Sequence, residues 1–301
     1  MIDEFFGHIA RVTTINMLNL AIIDALNLMT PTEVIAMTTA MHQEDWRFPG
    51  KVPAERVQEF TDGARSIVAQ TVRAMYSAGK PGPERFTRFM LTKGIRIFAG
   101  AIEPTGRVLI VAFPGNGGRL MMPLPIILQH LSPRQVDVVM VPDWKKANYR
   151  FGIPPLGDTL EEALPRLSKH LPSGYDRVVT FGTSSGGIPS LLAAPLVGAD
   201  TVLAVGAGSL DDVRWSKGSG QSKRQLMEAA APGLVGRRVT LAYGAQSPED
   251  EVSADVLTGL VPHAEKVRVA FDGVEVKHVA LLPLVPREML GSFLERYLGL
   301  N

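Results

Sequence analysis

The sequence predicts an α/β protein: a doubly wound, mostly parallel sheet preceded by an N-terminal helical region. Three observations predict it. Beyond residue 95, short β-branched runs alternate with helical stretches. Those runs are apolar throughout, as strands covered on both faces of a parallel sheet must be. Before residue 93 the apolar residues instead recur at helical spacing.

The length of 301 residues exceeds what one hydrophobic core usually supports. Two units are expected, a helical region over 1–93 and a sheet domain over 94–301, with the composition break near 93–105. In the first unit, Thr30-Pro31-Thr32-Glu33 marks a helix start: a Thr cap, Pro at the first helical position and Glu three residues after the cap. A longer helix follows Pro53, with Val57, Phe60, Ala64, Ile67, Val68, Val72 and Met75 along one face, and Gly79 and Pro81 close it. Phe86, Phe89 and Met90 predict a short helix ended by Gly94. In the second unit, strands are expected at 108–113, 136–141, 178–181, 202–205, 239–243 and 267–271. Helices begin near 120, 160, 187, 221 and 252, with a last one over 287–298. Strand–helix–strand order implies right-handed crossovers.

Composition removes several function classes. Thirty-one Lys and Arg against thirty Asp and Glu leave a net charge of +1, so nothing global favours nucleic acid. The absence of Cys excludes disulfides, thiolate catalysis and Cys-ligated metals. No His pair has metal-ligand spacing, so no metal site is expected. Gly115-Asn116-Gly117-Gly118-Arg119-Leu120 lacks the third glycine of a dinucleotide fingerprint, and no glycine loop continues into Gly-Lys-Ser/Thr. The aliphatic stretch 13–30 is interrupted by Asn16, Asn19, Asp24 and Asn27, unlike a membrane span, and it lacks a basic leader. It reads as a mostly buried helix in a cytoplasmic protein.

In a doubly wound sheet, chemistry sits in the loops after the strands. After the run 178–181 comes Gly182-Thr183-Ser184-Ser185-Gly186-Gly187, then an apolar helix with Leu191 and Leu192. This is G-x-S-x-G between a strand and a helix, where small residues flank a nucleophile that must protrude from a tight turn. Ser184 is the expected nucleophile; Ser185 would break the spacing to Gly182. On these residues the segment from about Gly106 onward, two thirds of the chain, resembles the α/β-hydrolase superfamily. The resemblance implies a serine nucleophile, an acid and a histidine in that chain order.

Only His263 and His278 follow Ser184. His263 precedes the last expected strand, at the wrong end of the sheet, whereas His278 follows it and matches the position of the family's base. The acid is expected after the strand 239–243, in Gly244-Ala245-Gln246-Ser247-Pro248-Glu249-Asp250-Glu251. The commoner family spacing falls on Ser247, a departure. A loop longer by three residues makes Asp250 the acid; Glu249, then Asp211 or Asp212, are the alternatives. The same acidic run would also suit the first turn of a helix. The loop Pro114-Gly115-Asn116-Gly117-Gly118-Arg119 occupies the family's oxyanion-loop position, so the Asn116 or Gly117 amide, with that of Ser185, is expected to bind the oxyanion. Arg119 either meets an anionic substrate group or faces solvent. Trp215, in the segment 206–224, is a further substrate-contact candidate.

The expectation is therefore a serine hydrolase acting on a small or acylated substrate, an ester first, with a thioester or amide open and no cofactor. Acyl transfer by the same triad, or a non-catalytic binding protein on this scaffold, are the alternatives. The N-terminal helices are expected to form a cap, or a surface for self-association or a protein partner.

Overall fold

The computed structural model describes residues 2–77, 85–100, 103–212 and 221–300. Four helices come first: α1 (Ile2–Ile9), α2 (Ile15–Leu26), α3 (Pro31–Met41) and α4 (Val57–Tyr76). The start of α3 has the expected capping box: Glu33 N–H donates to Thr30 Oγ1 at 3.3 Å, and Thr30 N–H to Glu33 Oε2 at 2.7 Å. On α4, Phe60, Ala64, Val68 and Met75 are buried along one face. The Gly79 and Pro81 stop lies outside the described residues. In α2 only one stripe is buried, Leu18, Ile22, Ala25 and Leu26, while Leu20 is exposed. No helix among the described residues is long and apolar enough to cross a membrane.

Eight strands follow: β1 (Thr87–Thr92), β2 (Ile95–Ala99), β3 (Val108–Phe113), β4 (Val136–Met140), β5 (Arg177–Thr183), β6 (Thr201–Val205), β7 (Arg238–Gly244) and β8 (Glu265–Val269). They form one sheet in the order β1-β2-β4-β3-β5-β6-β7-β8. From β4 to β8 every pairing is parallel; β1–β2 and β2–β4 are antiparallel. The helices of this part are α5 (Leu124–Gln129), α6 (Leu160–His170), α7 (Gly187–Val197), α8 (Lys223–Leu234), α9 (Pro248–Leu260) and α10 (Leu290–Leu298).

The expected short helix at 86–90 is a correction. Phe89 and Met90 lie on strand β1, which forms a hairpin with β2. Gly94 turns that hairpin with a φ of +83° rather than closing a helix. The i, i+3, i+4 spacing of Phe86, Phe89 and Met90 mimics a helical face, yet Phe89 and Met90 are both exposed. An edge strand takes its conformation from its partner, so its own pattern is weak. Further boundaries differ, among them the start of α5 at Leu124, not Leu120. β8 begins and ends two residues before the expected run, and α9 begins at Pro248, not Val252.

Each central strand alternates between two cores. Ile110 and Ala112 of β3 join Val138 of β4 and the helices α5 and α10 in one core; Leu109, Val111 and Phe113 join α6, α7, α8 and α9 in the other. Helices α1 to α4 contribute Ile9, Ile22, Met37 and Phe60 to the first of these cores. They thus share the sheet's own apolar interior.

Candidate active site

The chain leaves β3 for β4 on one side and later returns to β5 on the other, so the strand order switches between β3 and β5. A crevice opens at the carboxyl ends of strands at such a switch. Ser184 stands there, directly after β5, with a φ of +53°. That left-handed conformation is strained for a residue with a Cβ, and it lifts the side chain out of the turn. The flanking glycines are sterically required. A Cβ on Gly182 would lie 2.2 Å from the Gly186 carbonyl oxygen, and one on Gly186 only 2.0 Å from that of Phe113.

His278 lies in the loop after β8. Its Nε2 is 2.8 Å from Ser184 Oγ, and its Nδ1 is 2.9 Å from both carboxylate oxygens of Asp250. The carboxylate assigns the proton to Nδ1, leaving Nε2 to accept from the Ser184 hydroxyl. The Asp250 hydrogen bond raises the His278 pKa above its ordinary 6.5; burial opposes this, and the charges of Asp250 and Glu249 add to it.

Asp250 occupies the first turn of α9 and is buried, while Glu249 beside it is exposed. The acidic run thus occupies the first turn of α9, and Asp250 alone among it contacts His278. Ser247, at the commoner acid position, donates its hydroxyl to Asp250 Oδ2 at 2.7 Å. Asp211 is exposed and paired with Arg224 at 2.8 Å, and Asp212 lies 3.7 Å from Lys223. His263 contacts the Leu234 carbonyl, just before β8.

The loop after β3 presses against the nucleophile. A Cβ on Gly115 would be 3.0 Å from that of Ser184. Gly115 N–H donates to the Arg119 carbonyl and Gly118 N–H to that of Gly115. The amides of Asn116 and Gly117 have no acceptor among the described residues. Ser185 is the second residue of the 3₁₀ turn (Ser184–Gly186), whose closing bond runs from Gly187 N–H to the Ser184 carbonyl. Its own N–H precedes that bond and has no acceptor among the described residues. The Arg119 side chain folds over Gly117. Trp215 lies outside the described residues.

Sequence reasoning passed over the residues that bring these groups together. Gly244 packs against the Val276 and Lys277 carbonyls, where a Cβ would sit 2.1 Å from the latter. Gln246 ties the two loops together, its N–H donating to the Val276 carbonyl and its Oε1 accepting from Val276 N–H. Gly206 leaves room for the His278 ring, 3.2 Å from where its Cβ would stand. Tyr149 places its hydroxyl within 2.9 Å of the Pro114 carbonyl and 2.8 Å of that of Val141, bracing the loop after β3. A glycine immediately after each of two strand runs, Gly206 and Gly244, was the available signal; Gln246 and Tyr149 left none.

A cavity of about 780 Å³ opens above Ser184, walled by Asn148, Asp212, Lys223, Glu249 and Val252, with no wall residue from α1 to α4. Helix α2 reaches the strand ends elsewhere, where Lys146 pairs with Asp24 at 2.8 Å. No cluster of His, Asp and Glu able to hold a metal occurs among the described residues.

A mostly parallel sheet with this strand order and a serine turn after β5 decides the fold. It is an α/β-hydrolase fold. No protein-family model matches the chain, and no curated protein does. Solved structures of this fold do. A dienelactone hydrolase from Anabaena variabilis is 12% identical with a TM-score of 0.46, over 72% of this chain and 99% of its own. An esterase B from Lactobacillus rhamnosis is 14% identical with a TM-score of 0.48, over 79% and 94%. A 2,6-dihydroxy-pseudo-oxynicotine hydrolase is 12% identical with a TM-score of 0.47, over 99% and 88%. At identities this low and TM-scores under 0.5, these likenesses carry no argument beyond the strand order itself.

Proposed function

We propose that this chain is a serine hydrolase that cleaves a carboxylic ester through an acyl-enzyme on Ser184. The observation that carries the reading is the unbroken hydrogen-bond chain from Ser184 Oγ through the His278 ring to Asp250, at 2.8 and 2.9 Å. A serine hydroxyl is a weak nucleophile unless a base accepts its proton during attack. His278 Nε2 takes that proton as Oγ bonds to the carbonyl carbon, and Asp250 stabilises the resulting imidazolium. The carbonyl oxygen becomes an oxyanion, held by the amide of Ser185 and that of Asn116 or Gly117. His278 then protonates the departing alkoxide. Water, deprotonated by the same ring, releases the acid and restores Ser184. Every proton has a donor and an acceptor within these residues, so the cycle needs no cofactor.

A fluorophosphonate probe tests the nucleophile. The wild-type protein is expected to be labelled and Ser184→Ala not at all, with nearly unchanged thermal stability. Full labelling of Ser184→Ala would move the nucleophile elsewhere, and no labelling of folded wild type would leave a binding protein on this scaffold. Product analysis with and without an alcohol acceptor separates hydrolysis from acyl transfer.

A further inference from the structure

We propose that a second cavity, between α2 and the β1–β2 hairpin, binds a small carboxylate with an aromatic or branched apolar body. The cavity lies at the same end of the sheet as Ser184, beyond Gly118 of the oxyanion-side loop, and shares no wall residue with the cavity above Ser184. Its volume is about 290 Å³, roughly ten times the ~30 Å³ that a water molecule occupies in the liquid. Leu28, Phe98, Met140 and Trp144 supply apolar wall. The Trp144 indole seats there only because residue 94 is glycine: a Cβ would stand 2.6 Å from its Nε1.

The polar groups in the wall are unequally satisfied. Each of its carboxylates is occupied: Asp24 by Lys146 at 2.8 Å, and Asp143 by the backbone N–H groups of Lys145, Ala147 and Tyr149. Two donors have room for a further acceptor. The Arg96 side chain is only 14% exposed, lies over the Trp144 ring at 6.0 Å and meets Glu4 at 4.0 Å, with no hydrogen-bond acceptor among the described residues. Asn27 is buried, and its Oδ1 accepts the Leu124 N–H at 3.1 Å. That bond turns Nδ2 toward Gly118, where it has no partner. A donor buried without an acceptor, as Asn27 Nδ2 is, carries a desolvation cost that an incoming acceptor relieves. A guanidinium presents a planar fork that fits one carboxylate with two parallel hydrogen bonds. Burial and the charge of Arg88 lower the Arg96 pKa, and the charge of Glu4 raises it. A compact anion would leave the apolar wall uncovered, whereas an aromatic or branched body fills it.

This inference stands apart from the role given to Ser184, and binding rather than turnover tests it. Titration calorimetry of the full chain with 3-phenylpropionate is expected to give saturable one-site binding. The neutral isostere 3-phenylpropanol and the bodiless anion acetate should each bind at least tenfold more weakly. Arg96→Gln and Trp144→Leu, each checked for an unchanged melting curve, should weaken 3-phenylpropionate binding at least tenfold; Ser184→Ala should not. Absence of saturable binding to wild type, equal binding of the neutral isostere, or undiminished binding to either folded variant would overturn it.

Discussion

Asp250 and Glu249 are adjacent, yet the helix turn points one into the protein and leaves the other in solvent. Only Asp250 reaches His278, so Asp250→Asn is expected to lower kcat/KM by roughly a thousandfold or more, through loss of the correct tautomer and of imidazolium stabilisation. Glu249→Gln, which removes only a more distant charge, should change it by less than about threefold. The pH dependence has a definite sign. Protonated His278 cannot accept the Ser184 proton, so activity rises with pH along a limb whose midpoint lies above the ordinary 6.5. Asp250→Asn should move that midpoint to lower pH while depressing the plateau, and kcat/KM profiles of the two proteins measure both. Because folding raises this pKa, the imidazolium–carboxylate contact adds stability below the unfolded imidazole's titration and loses it as pH climbs through the folded value. Ser184 and His278 were legible from local signals. The acid needed a boundary that the sequence blurs: Pro248-Glu249-Asp250-Glu251 is both a loop end and a helix start.

The turn from β5 into α7 works by exclusion of side-chain atoms, which makes its glycines testable as a unit. Gly186→Ala should destabilise the protein by about 3 kcal/mol, since its Cβ would meet a backbone oxygen that cannot step aside. Gly259→Ala is the counterpart. Gly259 lies in the last turn of α9 with nothing within 4 Å of a Cβ, so alanine should stabilise by about 0.5–1 kcal/mol through helix propensity. Thermal melts of the two variants should shift in opposite directions. Strand runs and this turn were readable because sterics and burial act locally. The β1–β2 hairpin was not, because an exposed edge strand is defined by hydrogen bonds to a distant partner. The loop after β4 was equally hidden: Lys146, Asn148 and Tyr149 all have positive φ, held there by the Asp143 carboxylate.

At the far end of the sheet, one buried acid joins three segments. Asp137 of β4 accepts from Gly100 N–H at 2.8 Å, from Arg107 Nη1 at 3.0 Å and from the Tyr175 hydroxyl. Burial first, then that hydrogen bond, hold the Tyr175 hydroxyl neutral well above its usual range. Asp137→Ala would leave the Arg107 guanidinium buried without its carboxylate, at a cost of about 3–5 kcal/mol. Urea denaturation measures it, and the folded fraction should still label at Ser184, because the two sites occupy opposite ends of the strands. The N-terminal helices also belong to this larger picture. They contribute to the core on one sheet face, and α2 walls the second cavity.

From the linear chain alone came the α/β-hydrolase type of fold, the strand order in time, the serine turn and the histidine that follows the last strand. Those properties arise from steric and solvation rules acting over a few residues. Tertiary structure alone decided which carboxylate meets His278, how four helices and a sheet share an interior, and that the Arg96 guanidinium lines a pocket beside α2. Such outcomes depend on groups tens to hundreds of residues apart, whose meeting no local pattern encodes.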